Sequence, residues 1–270
     1  MSQHVRYERR GSVAVITIDR PERMNAIGPR THRELVAAWG RFLAEEDALV
    51  GVLTGAGDRA FSAGGDLKSF GEGEMPDLHD PDGVLGPSRW THVHKPTIAA
   101  VNGVAYAGGL EWACWTHLAV ADERATFGVT CRRWNIGLAD GGTQRLPRIL
   151  GWRRAMDLIV TGRVIDAATA LDWGLVNEVV PAGGALARAL EWAEAIARLP
   201  QPAVHTDLEA AERGWGRPLA EGLRIEQECF NRLADTPEIQ EGLRRFNERD
   251  HPDRRPGEAA TPGLDRRPET

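Results

Sequence analysis

Two short glycine turns and one carboxylate stand out as residues whose types and spacing could do chemistry. Ala63-Gly64-Gly65 follows the apolar pair Ala60-Phe61, and Ala107-Gly108-Gly109 precedes Glu111 by about one helical turn. Glycine lets a backbone approach a ligand closely, so each turn can offer an N–H to developing negative charge. The second turn also opens a helical stretch, whose N-terminal dipole favours the same charge. A carboxylate in that first turn can orient a water or take a proton from a bound group. Taken singly, each turn reads equally as a packing device, and Glu111 as a first-turn acid favoured by the dipole.

The surrounding pattern supplies elements that would hold these residues. VAVITID (13–19), LVGVLTG (49–55) and TIAAVNG (97–103) are β-branched, apolar runs that read as buried strands. Thr31 with Glu34 has the spacing of a capping box, and Leu35, Trp39, Phe42 and Leu43 then share a helical face. Residues 71–90, rich in Gly, Pro and Asp, read as a mobile loop over a site or a variable surface loop. Asp166 can cap the helix AATALDW, which stops at Gly174 before the strand LVNEVV. From 185 onward the pattern is helical, over 185–199, 203–213, 217–234 and 238–249. Strands alternating with helices, then helices alone, imply an α/β fold with a helical C-terminal part. The division expected is a core over 1–200, helices over 201–250 and a disordered Pro- and charge-rich tail over 251–270.

Composition narrows the classes. A net charge of −6 argues against nucleic-acid binding. No run of about 18 apolar residues occurs, and the N-terminus lacks a secretory pattern. Cys114, Cys131 and Cys229 lie far apart without metal or disulfide spacing, which fits a reducing cytoplasm. All basic residues but Lys68 and Lys95 are arginine, so a phosphate-bearing ligand would meet guanidinium groups; arginine-rich codon usage explains the bias more simply. Gly55, Gly57 and Ala60 formally satisfy G-x-G-x-x-A, but Phe61 to Gly65 reads as a second tight turn rather than a helix. A nicotinamide-dependent oxidoreductase is therefore a weak alternative.

Four segments in order, RPERMNAI (20–27), TGAGDRAFSAGGDLK (54–68), KPTIAAVNGVAYAGGLEWA (95–113) and 122–180, resemble the crotonase superfamily, the enoyl-CoA hydratase/isomerase family. The resemblance implies a crotonase-type spiral of ββα repeats, with a helical C-terminal region that mediates homotrimers or dimers of trimers. It implies an acyl-coenzyme A substrate, enolate stabilisation, and no metal, flavin or nicotinamide; coenzyme A enters with the substrate. By matching position, Gly65 and Gly108 would donate their N–H groups to the thioester oxygen, and Glu111 would be the first catalytic glutamate. Coenzyme A binding would rest on the loop Arg23, Met24, Asn25, Ala26 and on Ala63, Gly64, Asp66, Leu67 and Lys68, with Arg23 nearest phosphate.

The chain departs from the family pattern at the second glutamate, which falls on Cys131. A thiol replaces a carboxylic acid poorly unless its pKa is lowered. Asp140, before Gly141-Gly142, is either a stand-in acid or a residue of loop structure. Arg132 or Arg133 can pair with Asp140 or with the substrate, and a solvated loop or subunit contact accounts for them more simply. His117 stands where the family usually has aspartate, and reads as tuning packing near the helix end; His92 and His94 read as exposed loop histidines with a lesser prospect of reaching the acyl group. The resemblance, with Glu111 in place, implies hydration of a 2-enoyl-CoA. The departures leave open a one-carboxylate enoyl-CoA isomerase and a non-catalytic acyl-CoA-binding homologue.

Overall fold

The computed structural model describes residues 3–247; the expected tail over 251–270 lies outside them. The chain opens with an antiparallel hairpin of β1 (Val5–Arg10) and β2 (Val13–Ile18). Then follow α1 (Pro29–Ala44), β3 (Val50–Gly55), β4 (Ala60–Ser62) and the short α2 (Leu67–Gly71). A second turn holds β5 (Thr97–Val101), β6 (Val104–Tyr106) and α3 (Gly108–Trp115). A third holds β7 (Leu118–Asp122), β8 (Thr126–Gly128), α4 (Gly142–Leu150) and α5 (Trp152–Thr161). After β9 (Val164–Asp166), α6 (Ala167–Trp173) and β10 (Glu178–Val180), the chain is helical: α7 (Ala185–Ala197), α8 (Gln201–Gly214), α9 (Leu219–Ala234) and α10 (Pro237–Asn247).

Each ββα turn gives one strand to each of two sheets. The first sheet runs β1-β2-β3-β5-β7-β10 and the second β4-β6-β8-β9. Beyond the hairpin and the β8–β9 pair, every pairing is parallel. A parallel sheet is covered on both faces, which is why β2, β3 and β5 read as unbroken apolar runs. Val13, Val15, Val50, Val52, Ile98 and Val120 pack under Ala185, Ala189, Trp192 and Ile196 of α7. Their neighbours Ala14, Ile16, Ile18, Leu53 and Ala99 point into the inner core with α1 and α3. There Trp39 lies 4.8 Å from Trp115 and 6.2 Å from Trp112 by ring centroid, and Trp112 lies 5.0 Å from Trp115. Among the described residues, no helix is long and apolar enough to cross a membrane.

Three expectations need correction or refinement, and a fourth holds. The Thr31/Glu34 pair is not a capping box: α1 starts at Pro29 with Gly28 as N-cap, because proline is pre-organised for a first helical position. Glu34 instead accepts from the amides of His4 and Val5, and Thr31 Oγ1 meets His4 Nδ1 at 3.0 Å. The strand over LVNEVV shrinks to Glu178–Val180, paired with β7. Asp166 does cap α6, accepting from Thr169 N at 2.8 Å, and Gly174 ends it with φ +78°. Lastly, the 71–90 segment is not a uniform surface loop, since residues 83–88 are buried.

Candidate active site

The order of the spiral brings the two glycine turns together. Gly64 adopts φ +86°, and a Cβ there would lie 2.7 Å from Gly108 N, so only glycine permits this approach. A Cβ on Gly108 would lie 3.3 Å from Gly64 Cα and 3.7 Å from Gly65 N. The backbones of the two turns are thus in contact. In the parallel bridge between Ile27 and Gly65, Ile27 N donates to Gly64 O at 2.8 Å and Asp66 N to Ile27 O at 3.0 Å. That pattern directs Gly65 N–H away from Ile27. Gly108 is the first residue of α3, where an N–H has no intrahelical acceptor.

Both glycines line a cavity of about 780 Å³ together with Glu111, Cys131 and Asp140. Arg23, Met24, Ala26, Ala63, Asp66, Leu67 and Lys68 line it as well; Gly64 does not, and acts through the close approach just described. Asp66 lies on this wall, but its carboxylate is engaged elsewhere. It sits 2.8 Å from the Arg20 guanidinium and caps α2 by accepting from Ser69 N at 3.3 Å. Arg20 donates to Ala26 O at 2.6 Å, so this buried pair fixes the opening loop rather than facing the cavity. Asn25 completes the loop, donating to Ala56 O and Ala60 O and accepting from Arg20 N.

Helix α3 is buried along its whole length, which leaves Glu111 only 2% exposed. Its Oε1 accepts from Asp140 N at 2.9 Å and Gly142 N at 2.7 Å. Burial, and next the Asp140 carboxylate, push Glu111 up to about 7, against the pull of those amides and Arg145. A carboxyl so poised can act as base and acid in one cycle near neutral pH. Cys131 lies on the short 3-10 turn Thr130–Trp134, and burial pushes its thiol up. It is protonated at neutral pH and supplies no second carboxylate.

Asp140 receives three donors on Oδ1: Val84 N and Leu85 N, each at 3.0 Å, and Ser88 Oγ. Trp112 Nε1 holds Leu85 O at 2.8 Å, and His32 Nδ1 accepts from Gly86 N at 2.8 Å. Leu85 therefore sits over the two glycine turns, where it would meet any side chain added at Gly108. Sequence reasoning missed this wall. Its only signal was the apolar pair Val84-Leu85 inside a polar loop. It also missed Arg145, which donates to Asp140 O at 2.9 Å and Ser88 O at 2.8 Å.

Other candidates fall outside the cavity. Arg132 donates to Ile159 O at 3.0 Å and does not pair with Asp140. His117 accepts from Thr97 N at 3.0 Å through Nδ1 and meets Glu212 of α8 at 3.0 Å through Nε2, tying that helix to the core. His92 and His94 are exposed and stack on each other at 6.1 Å. The Gly55, Gly57, Ala60 pattern opens no helix, because β4 begins at Ala60. That removes the local structure a dinucleotide fingerprint requires.

Ala107 has φ 49° and ψ −116°, a conformation that costs a non-glycine residue about 1–3 kcal/mol. We expect Ala107→Gly to raise stability by about 1 kcal/mol, read as a melting temperature higher by a few degrees. An unchanged or lower melting temperature would show that the strain is not carried there.

Comparison with known proteins agrees with this geometry. The profile of the enoyl-CoA hydratase/isomerase family matches residues 8–255. A probable enoyl-CoA hydratase of Rhizobium meliloti is 41% identical over 245 residues, covering 88% of this chain and 93% of that protein. The (E)-benzylidenesuccinyl-CoA hydratase of Thauera aromatica is 35% identical, covering 89% and 94%. The crystal structure of an enoyl-CoA hydratase from Mycobacterium marinum superposes with a TM-score of 0.86 at 33% identity, covering 92% of this chain and 97% of that one. With its ββα spiral, its crotonase-type neighbours and this match over most of its length, the chain belongs to the enoyl-CoA hydratase/isomerase family.

Proposed function

We propose that this protein adds water to a 2-enoyl-coenzyme A thioester to give the 3-hydroxyacyl thioester. The observation that carries the reading is Glu111, held by two amides on the wall of the cavity that the Gly65 and Gly108 turns share. The hydratase names of the relatives support it. Arg23 and Lys68 lie on the same cavity without an ion pair among the described residues, and in this reading they meet the phosphates of coenzyme A.

In this reading the thioester oxygen sits at the Gly65 and Gly108 amides. Glu111 accepts a proton from water as the oxygen–C3 bond forms. The displaced π electrons pass through C2 to the thioester oxygen, where the two N–H groups stabilise the enolate. The enolate then takes that proton from Glu111 at C2, which restores the carboxylate. Atoms and charge balance with a single carboxyl group.

A second reading rests on the protonated thiol at Cys131. One carboxyl can also move a proton between C2 and C4, which is isomerisation. Incubation with straight, branched and aromatic enoyl-CoAs, followed by mass spectrometry, separates the two. Hydration gives a product heavier by one water; isomerisation gives a product of unchanged mass, resolved from the substrate by chromatography before the spectrometer. Binding without any product would identify a non-catalytic homologue instead. We further expect Cys131→Glu to raise hydration on the order of tenfold by adding a second acid to the cavity wall. An unchanged or lower rate on crotonyl-CoA, with the fold intact, would refute the missing-acid account.

A further inference from the structure

Asp140 is 1% exposed, yet its main-chain N–H, its carbonyl and its side-chain Oδ1 each join a different part of the site. Its N–H donates to Glu111 Oε1, its carbonyl accepts from Arg145, and its Oδ1 gathers three donors from residues 84–88. Arg145 closes the ring by donating to Ser88 O at 2.8 Å. The loop over the glycine turns and the acid/base are thus fastened to one residue. Two carboxyls that share a buried site do not both ionise cheaply. Oδ1 of Asp140 gathers three donors and Oε1 of Glu111 two, and burial followed by the neighbouring Asp140 carboxyl favours the protonated form of Glu111.

We propose that Asp140 is a positioning residue: its carboxylate adds to burial in favouring the proton on Glu111, while Oδ1 locks residues 84–88 across the two glycine turns. The inference deepens the reading of Glu111 as acid/base and rests on it. Beyond burial, no other titratable group near Glu111 adds to the effect. Arg145 of α4 acts in the opposite sense, and the thiols of Cys131 and Cys114 are held neutral by burial.

Asp140→Asn separates charge from scaffold, because an amide oxygen can still accept from the loop. Carbon-13 NMR of carboxyl-labelled glutamate reads Glu111 directly, assigned by its loss in Glu111→Gln. In Asp140→Asn we expect the Glu111 titration to move down by about one pH unit, with the acid limb of kcat/KM following it. Ser88→Ala, which keeps the charge and loosens the loop, should raise KM and leave that limb in place. A limb and a resonance that stay put in Asp140→Asn would overturn the proposal. Should that variant fail to fold, Asp140→Ser, which keeps a hydroxyl acceptor for the loop amides without the charge, takes its place with the same expected shift, and a Glu111 resonance that stays put in it overturns the proposal. If wild-type protein turns over no enoyl-CoA, the functional reading fails while the NMR titration still judges this inference.

Discussion

Glu111→Gln is expected to bind acyl-CoA within a few-fold of wild type and to lose about 10³-fold in kcat. The glutamine oxygen can keep the amides of Asp140 and Gly142, so the site should hold its shape. What disappears is the ability to carry a proton between water and C2. Calorimetric titration with a saturated acyl-CoA, beside steady-state rates on the preferred enoyl-CoA, checks both halves; a wild-type kcat would remove Glu111 from the mechanism. The same variant should be more stable above neutral pH. The folded-state pKa of Glu111, about 7, lies above its ordinary value of 4.5, so folding takes up a proton between those values. Wild-type stability therefore falls as pH rises through that window, and the loss of up to about 3 kcal/mol persists above it. Glutamine escapes this cost. Denaturant midpoints of the two proteins should diverge at pH 8 and converge near pH 4.

Gly108→Ala should be nearly as damaging, for a steric reason. Its Cβ would lie 3.3 Å from Gly64 Cα and 3.7 Å from Gly65 N, and would collide with Leu85 Cδ1. Alanine favours helices, so the local propensity of α3 argues for no loss of fold. The methyl group enters the gap between the turns and pushes apart the amides that would share one oxygen. Loss of one such donor costs about 10²–10³ in kcat. Circular dichroism should stay native while the rate falls. A kcat within a few-fold of wild type would mean that the thioester oxygen does not lie between these turns.

The sequence made some of this legible because the relevant physics is local. β2, β3 and β5 are short β-branched runs, and their burial on both faces leaves no polar alternation to confuse the pattern. Helix α6 announced both ends, through Asp166 and Gly174. The glycine turns and Glu111 lie within two contiguous stretches, so their spacing could be read directly. Strand β1 was hidden because Arg6, Glu8 and Arg10 are interleaved with the residues that pack inward, as befits an edge strand. Pro29 overrode the apparent capping signal at Thr31. The buried wall at 83–88 was illegible for a different reason. Its anchor, Asp140, lies more than 50 residues downstream, and no local pattern encodes a contact of that span.

The indole trio of Trp39, Trp112 and Trp115 carries a practical consequence. Two of its members share α3 with Glu111, and the third comes from α1, so their electronic transitions couple only while the two helices keep their registry. The near-ultraviolet spectrum of the unlabelled protein is therefore an intrinsic gauge of the ground beneath Glu111, and a substitution that disturbs that ground can be told apart from one that leaves it intact.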